Sequence, residues 1–127
     1  MSHEALAQFA NEQYLNLESF KRDGTSVRTP VWFAEDDGML YVYTLANSWK
    51  VKRIRRHPQV RIVPCTMRGH VMGQWVEAET HILDAARAEH GHTLLLQKYG
   101  WKKRLGNIFS GLIRRERVVM TIRLLEQ

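Results

Sequence analysis

The spacing of hydrophobic positions changes period several times along the chain, and each change marks an element. Residues 3–11 place apolar side chains on one side of a short helix. Alternating apolar and polar residues then predict three strands: residues 14–20, 25–34 and 39–44. The turns between them, Lys21–Gly24 and Glu35–Gly38, are short and end in glycine, so the three strands are expected to form an antiparallel meander.

Beyond this meander the period becomes helical and then returns to alternation. Ser48 is a suitable N-cap for a helix over residues 49–57, and Pro58 ends that helix. The remaining elements are strands over 59–65, 74–83 and 117–125, a helix over 84–99 and a broken helix over 101–112. We expect Gly91 to weaken the longer helix. Six strands in this order predict a mainly β fold, a six-stranded antiparallel barrel with flanking helices, in one domain over residues 1–127.

Composition narrows the class of protein. The chain has 127 residues, of which 44% are hydrophobic and 25% charged, as is typical of a folded domain. No apolar run reaches the roughly 18 residues of a membrane span, and the first ten residues lack a signal-peptide pattern. Cys65 is the single cysteine, which excludes a disulfide scaffold and favours a buried core thiol. We therefore expect a cytoplasmic protein.

The charge of the chain favours an anionic partner. Lys and Arg number 19 against 13 Asp and Glu, which gives a net charge of +6 with neutral histidines. The basic residues concentrate in two clusters, Lys50–Arg61 and Lys102–Arg117, and we expect the second to be solvated. His90 and His92 are two residues apart in a predicted helix, so they face different ways and no metal site is predicted.

The start of the 49–57 helix is the strongest candidate for an anion-binding site. Unpaired amide groups and the positive end of the helix dipole attract phosphate there. Lys50 and Arg53 share one face of this helix, and Ser48 and Thr44 add hydroxyl donors beside them. The other cations of the helix are expected to point elsewhere: Lys52, Arg55 and Arg56. A solvated basic helix without a ligand is the alternative interpretation.

Pro30 interrupts a run of residues that otherwise predicts a strand. Proline has no N–H to donate to a ladder, so it indicates an edge or a bulge, where the neighbouring backbone can meet a planar heterocycle. Protection of a strand edge against aggregation is the alternative. Three tryptophans lie near these features and could stack on a ring or pack in a core or dimer: Trp32, Trp49 and Trp75.

Several short segments between Tyr14 and Leu83 stand in a characteristic order. They are Asp23-Gly24, Thr29–Phe33, Leu40–Thr44, Lys50–Val60, Val63–Cys65, Arg68-Gly69 and Gly73–Ala78, and Lys98–Trp101 follows them. Their order and spacing resemble the split-barrel superfamily of pyridoxamine 5'-phosphate oxidase-like proteins. Within that superfamily the chain is most similar to the branch assigned to deazaflavin (coenzyme F-420)-dependent enzymes.

This resemblance implies a homodimer with two cofactor sites at the subunit interface. It also implies that the cofactor is either FMN or the deazaflavin coenzyme F-420. The phosphate-binding group of the family corresponds to Thr44, Ser48, Lys50 and Arg53. The additional Lys and Arg residues would accommodate the polyglutamate tail of the deazaflavin.

The resemblance also assigns residues to the cofactor ring. The strand that lines the ring corresponds to Pro30, Val31 and Trp32, and Trp75 of the partner subunit would approach the same ring. Arg28 departs from the family, where a small residue is expected before the Thr-Pro pair. If Arg28 points into the cleft, it alters the substrate side.

The sequence therefore predicts a flavin- or deazaflavin-dependent oxidoreductase that transfers hydride between its cofactor and a small molecule. The cofactor would supply the hydride chemistry, and no residue is predicted as an obligatory acid or base. Two alternatives stay open: a non-catalytic protein that carries or sequesters the cofactor, and a nucleic-acid binder. The second is less favoured, because no helix-turn-helix, aromatic RNA platform or extended basic arm is evident.

Overall fold

A computed structural model of the chain describes residues 3–45, 48–84, 88–99 and 117–125. The helices are α1 (His3–Ala7), α2 (Trp49–Arg56) and α3 (Glu89–Tyr99). The strands are β1 (Tyr14–Phe20), β2 (Ser26–Asp36), β3 (Met39–Leu45), β4 (Gln59–Cys65), β5 (Val76–Ile82) and β6 (Arg117–Leu124). The broken helix predicted over 101–112, and Lys102–Arg117 except for its last residue, lie outside the described residues. In the described part of the chain, no helix is long and apolar enough to cross a membrane.

The six strands form a closed barrel in which every pair is antiparallel. Their order around the barrel is β1-β2-β3-β6-β5-β4, so the meander of β1, β2 and β3 is followed by β6. The predicted fold class, a mainly β six-stranded antiparallel barrel with short helices, is confirmed.

Alternate residues of each strand fill the barrel. The inward positions carry large apolar side chains that are almost fully buried: Leu15, Leu17, Phe33, Leu40, Ile62, Met120 and Ile122. Helix α2 adds Val51 and Ile54 to the buried residues. A smaller cluster lies on the outer face under α3 and includes Ala34, Tyr43, Leu95 and Val119.

Both predicted hairpin turns are confirmed. Gly24 has a φ of 88° and its N–H donates to the Lys21 carbonyl at 3.0 Å, which closes the first turn. Asp37 and Gly38 both have positive φ, 52° and 83°, as a two-residue turn between twisted antiparallel strands requires.

Several predicted boundaries are wrong. Helix α1 ends at Ala7 instead of residue 11, and Asn11 leaves helical geometry with a φ of 64°. Strand β5 starts at Val76 instead of Gln74, because the Gln74 N–H donates to the side chain of Gln8 at 2.9 Å and not to a ladder. Helix α3 starts at Glu89 instead of residue 84.

Gly91 allows α3 to pack closely on the barrel. A Cβ atom at this position would lie 2.5 Å from Cγ1 of Val119 and 3.2 Å from Cδ2 of Tyr41. The helix that contains Gly91 still forms, so the packing against β6 and β3 outweighs the cost of a glycine inside a helix.

Strand β2 changes partner along its length. Residues 26–32 pair with β1, whereas residues 33–36 pair with β3, beginning at Phe33↔Val42. Strand β3 continues beyond that point along β6 as far as Leu45↔Arg117. Residues 26–32 of β2 are therefore not paired with β3, and the end of β3 is not paired with β2.

Candidate anion-binding site

The end of β3 and the start of α2 bring three polar side chains together. Ser48 caps α2 and its Oγ accepts a hydrogen bond from the Val51 N–H at 3.2 Å. The Ser48 Oγ lies 3.3 Å from the Oγ1 of Thr44, which is 5% exposed. The Lys50 ammonium donates to the same Thr44 oxygen at 3.4 Å. With Arg53 on the next turn, these residues form the candidate anion site: Thr44, Ser48, Lys50 and Arg53.

Arg53 is held by a neutral partner on β1. Its Nε donates to the Oγ of Ser19 at 2.8 Å, and Ser19 is buried at the end of that strand. Arg56 is anchored one turn later, where its Nη2 donates to the Phe20 carbonyl at 2.9 Å. The second half of α2 is thereby fixed against β1 without the use of a carboxylate.

The electrostatics of the candidate anion site favour an incoming negative charge. Burial lowers the pKa of Lys50, and the neighbouring charge of Arg53 lowers it further. Burial likewise lowers the pKa of Arg53, together with the charge of Arg56. In the part of the chain that the structure describes, neither Lys50 nor Arg53 forms an ion pair with a carboxylate. Two cations and two hydroxyls are the donor set that suits a phosphate group.

The predicted ring-lining residues lie on the part of β2 that pairs with β1. Pro30 is opposite Asn16 of β1, and the ladder of β2 with β3 begins three residues later, so Pro30 lies at an edge as its missing N–H predicts. The Val31 side chain is buried in the barrel core. The Trp32 side chain packs on the other face, against the cluster under α3 and 6.4 Å from the Tyr14 ring. The side chains of Val31 and Trp32 thus leave β2 on opposite sides.

Trp75 and Arg28 belong to a different cluster, the Glu18 cluster, which consists of Glu18, Arg28, Arg61 and Trp75. Glu18 is 1% exposed and accepts from Arg28 Nε at 3.0 Å and Arg61 Nε at 2.5 Å. The two guanidinium carbons lie 4.7 Å and 5.3 Å from the centre of the Trp75 ring. Burial alone would raise the pKa of Glu18, but hydrogen bonds from Arg61, Arg28 and Ser26 outweigh it and lower the pKa.

The Arg28 side chain lies in the Glu18 cluster. Its side chain is held by Glu18 and Trp75 and not by the residues of the candidate anion site. Within one chain the structure does not bring Trp75 to Lys50, whose hydrogen bond is to Thr44.

A groove of about 770 Å³ beside the candidate anion site was missed by the sequence analysis. The cationic groove is lined by Lys21, Arg22, Val27, Trp49, Lys52, Arg53 and Arg56. Trp49 is 73% exposed, and the Lys52 ammonium lies 4.5 Å from the centre of its ring. Lys52 and Arg56 are exposed, as expected for solvated cations, but they do not point away from Arg53, since all three line one groove.

The spacing along α2 contained the information needed to find this groove. Trp49, Lys52, Arg53 and Arg56 stand at i, i+3, i+4 and i+7, which places them on one face of a helix. The contribution of the turn after β1 is a tertiary feature, because it depends on the packing of α2 against that strand.

His90 and Cys65 each have neighbours that a structural role explains. His90 lies 2.7 Å from a carboxylate oxygen of Asp36, and its ring meets Tyr41 edge to face. Among the described residues, no three His, Cys, Asp or Glu side chains form a group that could hold a metal ion. Cys65 is buried as predicted, and burial raises the pKa of its thiol.

Comparison with known proteins places the fold. No protein-family model and no curated protein matches the chain. Among solved structures, the chain is similar to a candidate pyridoxamine 5'-phosphate oxidase from Listeria innocua, with 18% identity, a TM-score of 0.65 and coverage of 97% of this chain and 92% of that one. It is also similar to the heme storage protein HutZ from Vibrio cholerae, with 14% identity, a TM-score of 0.69 and coverage of 98% of this chain and 89% of that one. A FAD-binding protein from Mesorhizobium loti has 19% identity and a TM-score of 0.62, with coverage of 100% of this chain and 89% of that one.

These similarities confirm the predicted resemblance at the level of the fold. The chain, a closed six-stranded antiparallel barrel with short helices, shares its fold with these solved structures.

Proposed function

We propose that this protein binds a phosphorylated flavin or deazaflavin at the candidate anion site and acts as an oxidoreductase on a small molecule. The observation that carries the proposal is the pair Lys50 and Arg53, which are partly buried side by side with hydroxyl partners and, among the described residues, no carboxylate. Burying like charges together is unfavourable unless an anion compensates for them.

The residues present fit the phosphate of such a cofactor. Lys50 and Arg53 would provide charged donors, and Ser48 and Thr44 hydroxyl donors, all close to the start of α2. Residues 26–32 of β2 have no ladder with β3, and a planar ring would lie along this side of β2. Val27 of the same segment lines the cationic groove together with Arg53.

The contribution of the protein would be binding and orientation. The cofactor supplies hydride transfer when bound. Lys50 and Arg53 would hold its phosphate, and backbone amides around Val31 would meet the polar edge of the ring, where negative charge develops on reduction. The apolar side chain of Val31 would exclude water from the same wall of the barrel.

The cationic groove bears on the choice between FMN and coenzyme F-420. FMN ends at its phosphate, whereas the polyglutamate tail of the deazaflavin carries further negative charges. Four cations besides Arg53 line the groove, and no acidic residue is among the described residues that line it. We therefore favour the deazaflavin, whose affinity should fall more steeply with added salt than that of FMN.

The proposal includes a homodimer. The loop between β4 and β5, which leads to Trp75, exposes three apolar side chains, Met67, Val71 and Met72, with exposed fractions of 67%, 47% and 51%. Apolar groups grouped on a surface are typical of an interface. A partner packed on this loop would bring Trp75 of the partner subunit towards the cofactor ring.

A non-catalytic carrier is the second candidate function. The candidate anion site contains hydroxyls and cations, and the described residues supply no carboxylate or imidazole to it as a proton donor. The similarity to a heme storage protein agrees with storage on this fold. Binding without turnover would favour the carrier.

Spectroscopic titration tests the proposal directly. FMN and coenzyme F-420 are added in turn to the purified protein, and the change in their absorbance bands gives each affinity. We expect binding of at least one, followed by its oxidation or reduction in the presence of a second substrate. Affinity for neither, together with strongly salt-dependent binding of generic DNA or RNA, would replace the proposal with the nucleic-acid alternative.

A further inference from the structure

Lys98, in the last turn of α3, connects three elements of the fold. Its ammonium donates to the Glu12 carbonyl, just before β1, and to the Phe33 carbonyl of β2, both at 2.7 Å. The same nitrogen lies 3.9 Å from the centre of the Phe33 ring. A half-buried ammonium with two short hydrogen bonds and a ring contact is a firmly held group.

The position of Phe33 gives these contacts their significance. The ladder of β2 with β1 ends at Trp32↔Tyr14, and the ladder with β3 begins at Phe33↔Val42. At Phe33 the strand therefore leaves one partner and joins the other. A further pair of the β1–β2 ladder would follow Trp32↔Tyr14 at this point. Lys98 donates there instead to one carbonyl of each segment, that of Glu12 before β1 and that of Phe33 in β2.

We propose that Lys98 is a positioning residue that fixes the crossover of β2 and thereby sets Pro30–Trp32 in place for the cofactor ring. This inference rests on the proposed function, since it assigns the ring to β2. The contacts of Lys98 described above are with Glu12 and Phe33, whereas the lysine of the candidate anion site is Lys50 on α2. Its effect should therefore fall on the ring and not on the phosphate.

The surroundings of Lys98 add a pH dependence. Burial lowers its pKa to about 8, and the carboxylates of Glu12 and Glu35 oppose that shift. Lys98 is thus largely charged at neutral pH and loses its proton as the pH rises through about 8. Loss of the charge weakens both carbonyl hydrogen bonds, so the crossover should loosen on the alkaline side.

The test separates ring binding from phosphate binding. Affinities for ribose 5-phosphate and for FMN or coenzyme F-420, whichever the wild type binds more tightly, are measured in wild type, Lys98→Met and Lys98→Arg. In Lys98→Met we expect the cofactor affinity to fall about tenfold, while the affinity for ribose 5-phosphate changes less than about twofold. Lys98→Arg, which keeps the charge and the donors, should recover most of the cofactor affinity.

The pH profile distinguishes positioning from a general loss of stability. The ratio of cofactor affinity to ribose 5-phosphate affinity cancels the titration of Lys50, and in wild type it should fall as the pH rises through about 8. That fall should be absent in Lys98→Met. An unchanged cofactor affinity in Lys98→Met, or an equal loss for both ligands, would overturn the inference.

Amide hydrogen exchange keeps the inference testable if the wild type binds neither cofactor, a result that would refute the proposed function alone. Residues 27–32 of β2 should exchange about tenfold faster in Lys98→Met, while β5 is unchanged. Equal protection of β2 in both proteins would contradict a role for Lys98 at the crossover.

Discussion

The barrel carries two pairs of neighbouring cations, and the chain treats them in opposite ways. Arg28 and Arg61 share one buried carboxylate, Glu18, and stack on Trp75. Lys50 and Arg53 have only hydroxyl partners in the described residues. The first pair has a carboxylate of the protein as its counterion. The second pair has none among the described residues, and in our proposal the phosphate of a ligand takes that place.

Strand β1 produces this difference within two consecutive residues. Glu18 points to the outer wall, where it meets the two arginines, and Ser19 points to the end of the barrel, where it meets Arg53. Successive residues of a strand face opposite sides, so one step along β1 exchanges an acid for a neutral hydroxyl. For Arg28, Arg61 and Arg53, the residue of β1 that faces the cation therefore decides whether its partner is an acid or a neutral hydroxyl.

Removal of the acid from the first pair should give the largest effect. Glu18→Gln keeps the shape of the side chain but removes the charge that holds Arg28 and Arg61, so we expect the free energy of unfolding to fall by about 2–3 kcal/mol. Chemical denaturation measures the change. Glu79→Gln is the control, because Glu79 forms exposed ion pairs with His81 and Arg123 and should have a much smaller effect. Similar losses in both variants would refute the distinction.

Removal of a cation from the second pair should weaken ligand binding and leave the fold intact. In Lys50→Met the affinity for ribose 5-phosphate should fall by about 1.5–3 kcal/mol, which is roughly 10–100-fold. The thermal midpoint should stay the same or rise, because Met does not repel Arg53 and its burial is favourable. Isothermal titration calorimetry and a thermal melt suffice. A large loss of stability with unchanged affinity would make Lys50 a structural residue.

An acid introduced at Ser19 should make the second pair resemble the first. Ser19→Asp places a carboxylate within reach of Arg53, so the affinity for ribose 5-phosphate should fall about tenfold as the protein neutralises its own charge. Ser19→Asn has nearly the same size without the charge and serves as the control. Equal affinities in the two variants would show that the charge at this position does not govern anion binding.

Acid pH should lower the stability contributed by Glu18 progressively, and by less than the substitution Glu18→Gln does. The pKa of Glu18 is lower in the folded protein than its ordinary value of 4.5, so the unfolded chain takes up the proton first. The stability that Glu18 contributes is present above pH 4.5 and is lost as the pH falls through the pKa of the folded state. Denaturation curves between neutral and acid pH should therefore converge for wild type and Glu18→Gln. Parallel curves would contradict this assignment.

Local patterns were sufficient for most elements of the fold. Strands β1 and β4 have the predicted bounds, and Ser48 caps α2 as predicted, because alternation and N-capping depend on residues close in sequence. The predicted start of β5 was wrong because it depends on a distant residue: the Gln74 N–H donates to the side chain of Gln8, far away in the chain.

The candidate site was predictable in part. Thr44, Ser48 and Lys50 are near one another in sequence, so a cap and a helical face bring them together. The cationic groove forms only where the turn after β1 lies beside α2. The position of the Arg28 side chain depends on its hydrogen bond to Glu18. The spacing of residues within a single segment reveals neither contact.

The sequence by itself determined where strands, turns and the capped start of α2 occur, because these depend on backbone preferences and on side chains a few residues apart. The tertiary structure alone decided that β2 changes partner at Phe33, that Lys98 lies at that point, and that Glu18 is buried between two arginines. Those features join residues that are distant in the chain, and their energies arise from burial and charge compensation that exist only after the barrel has closed.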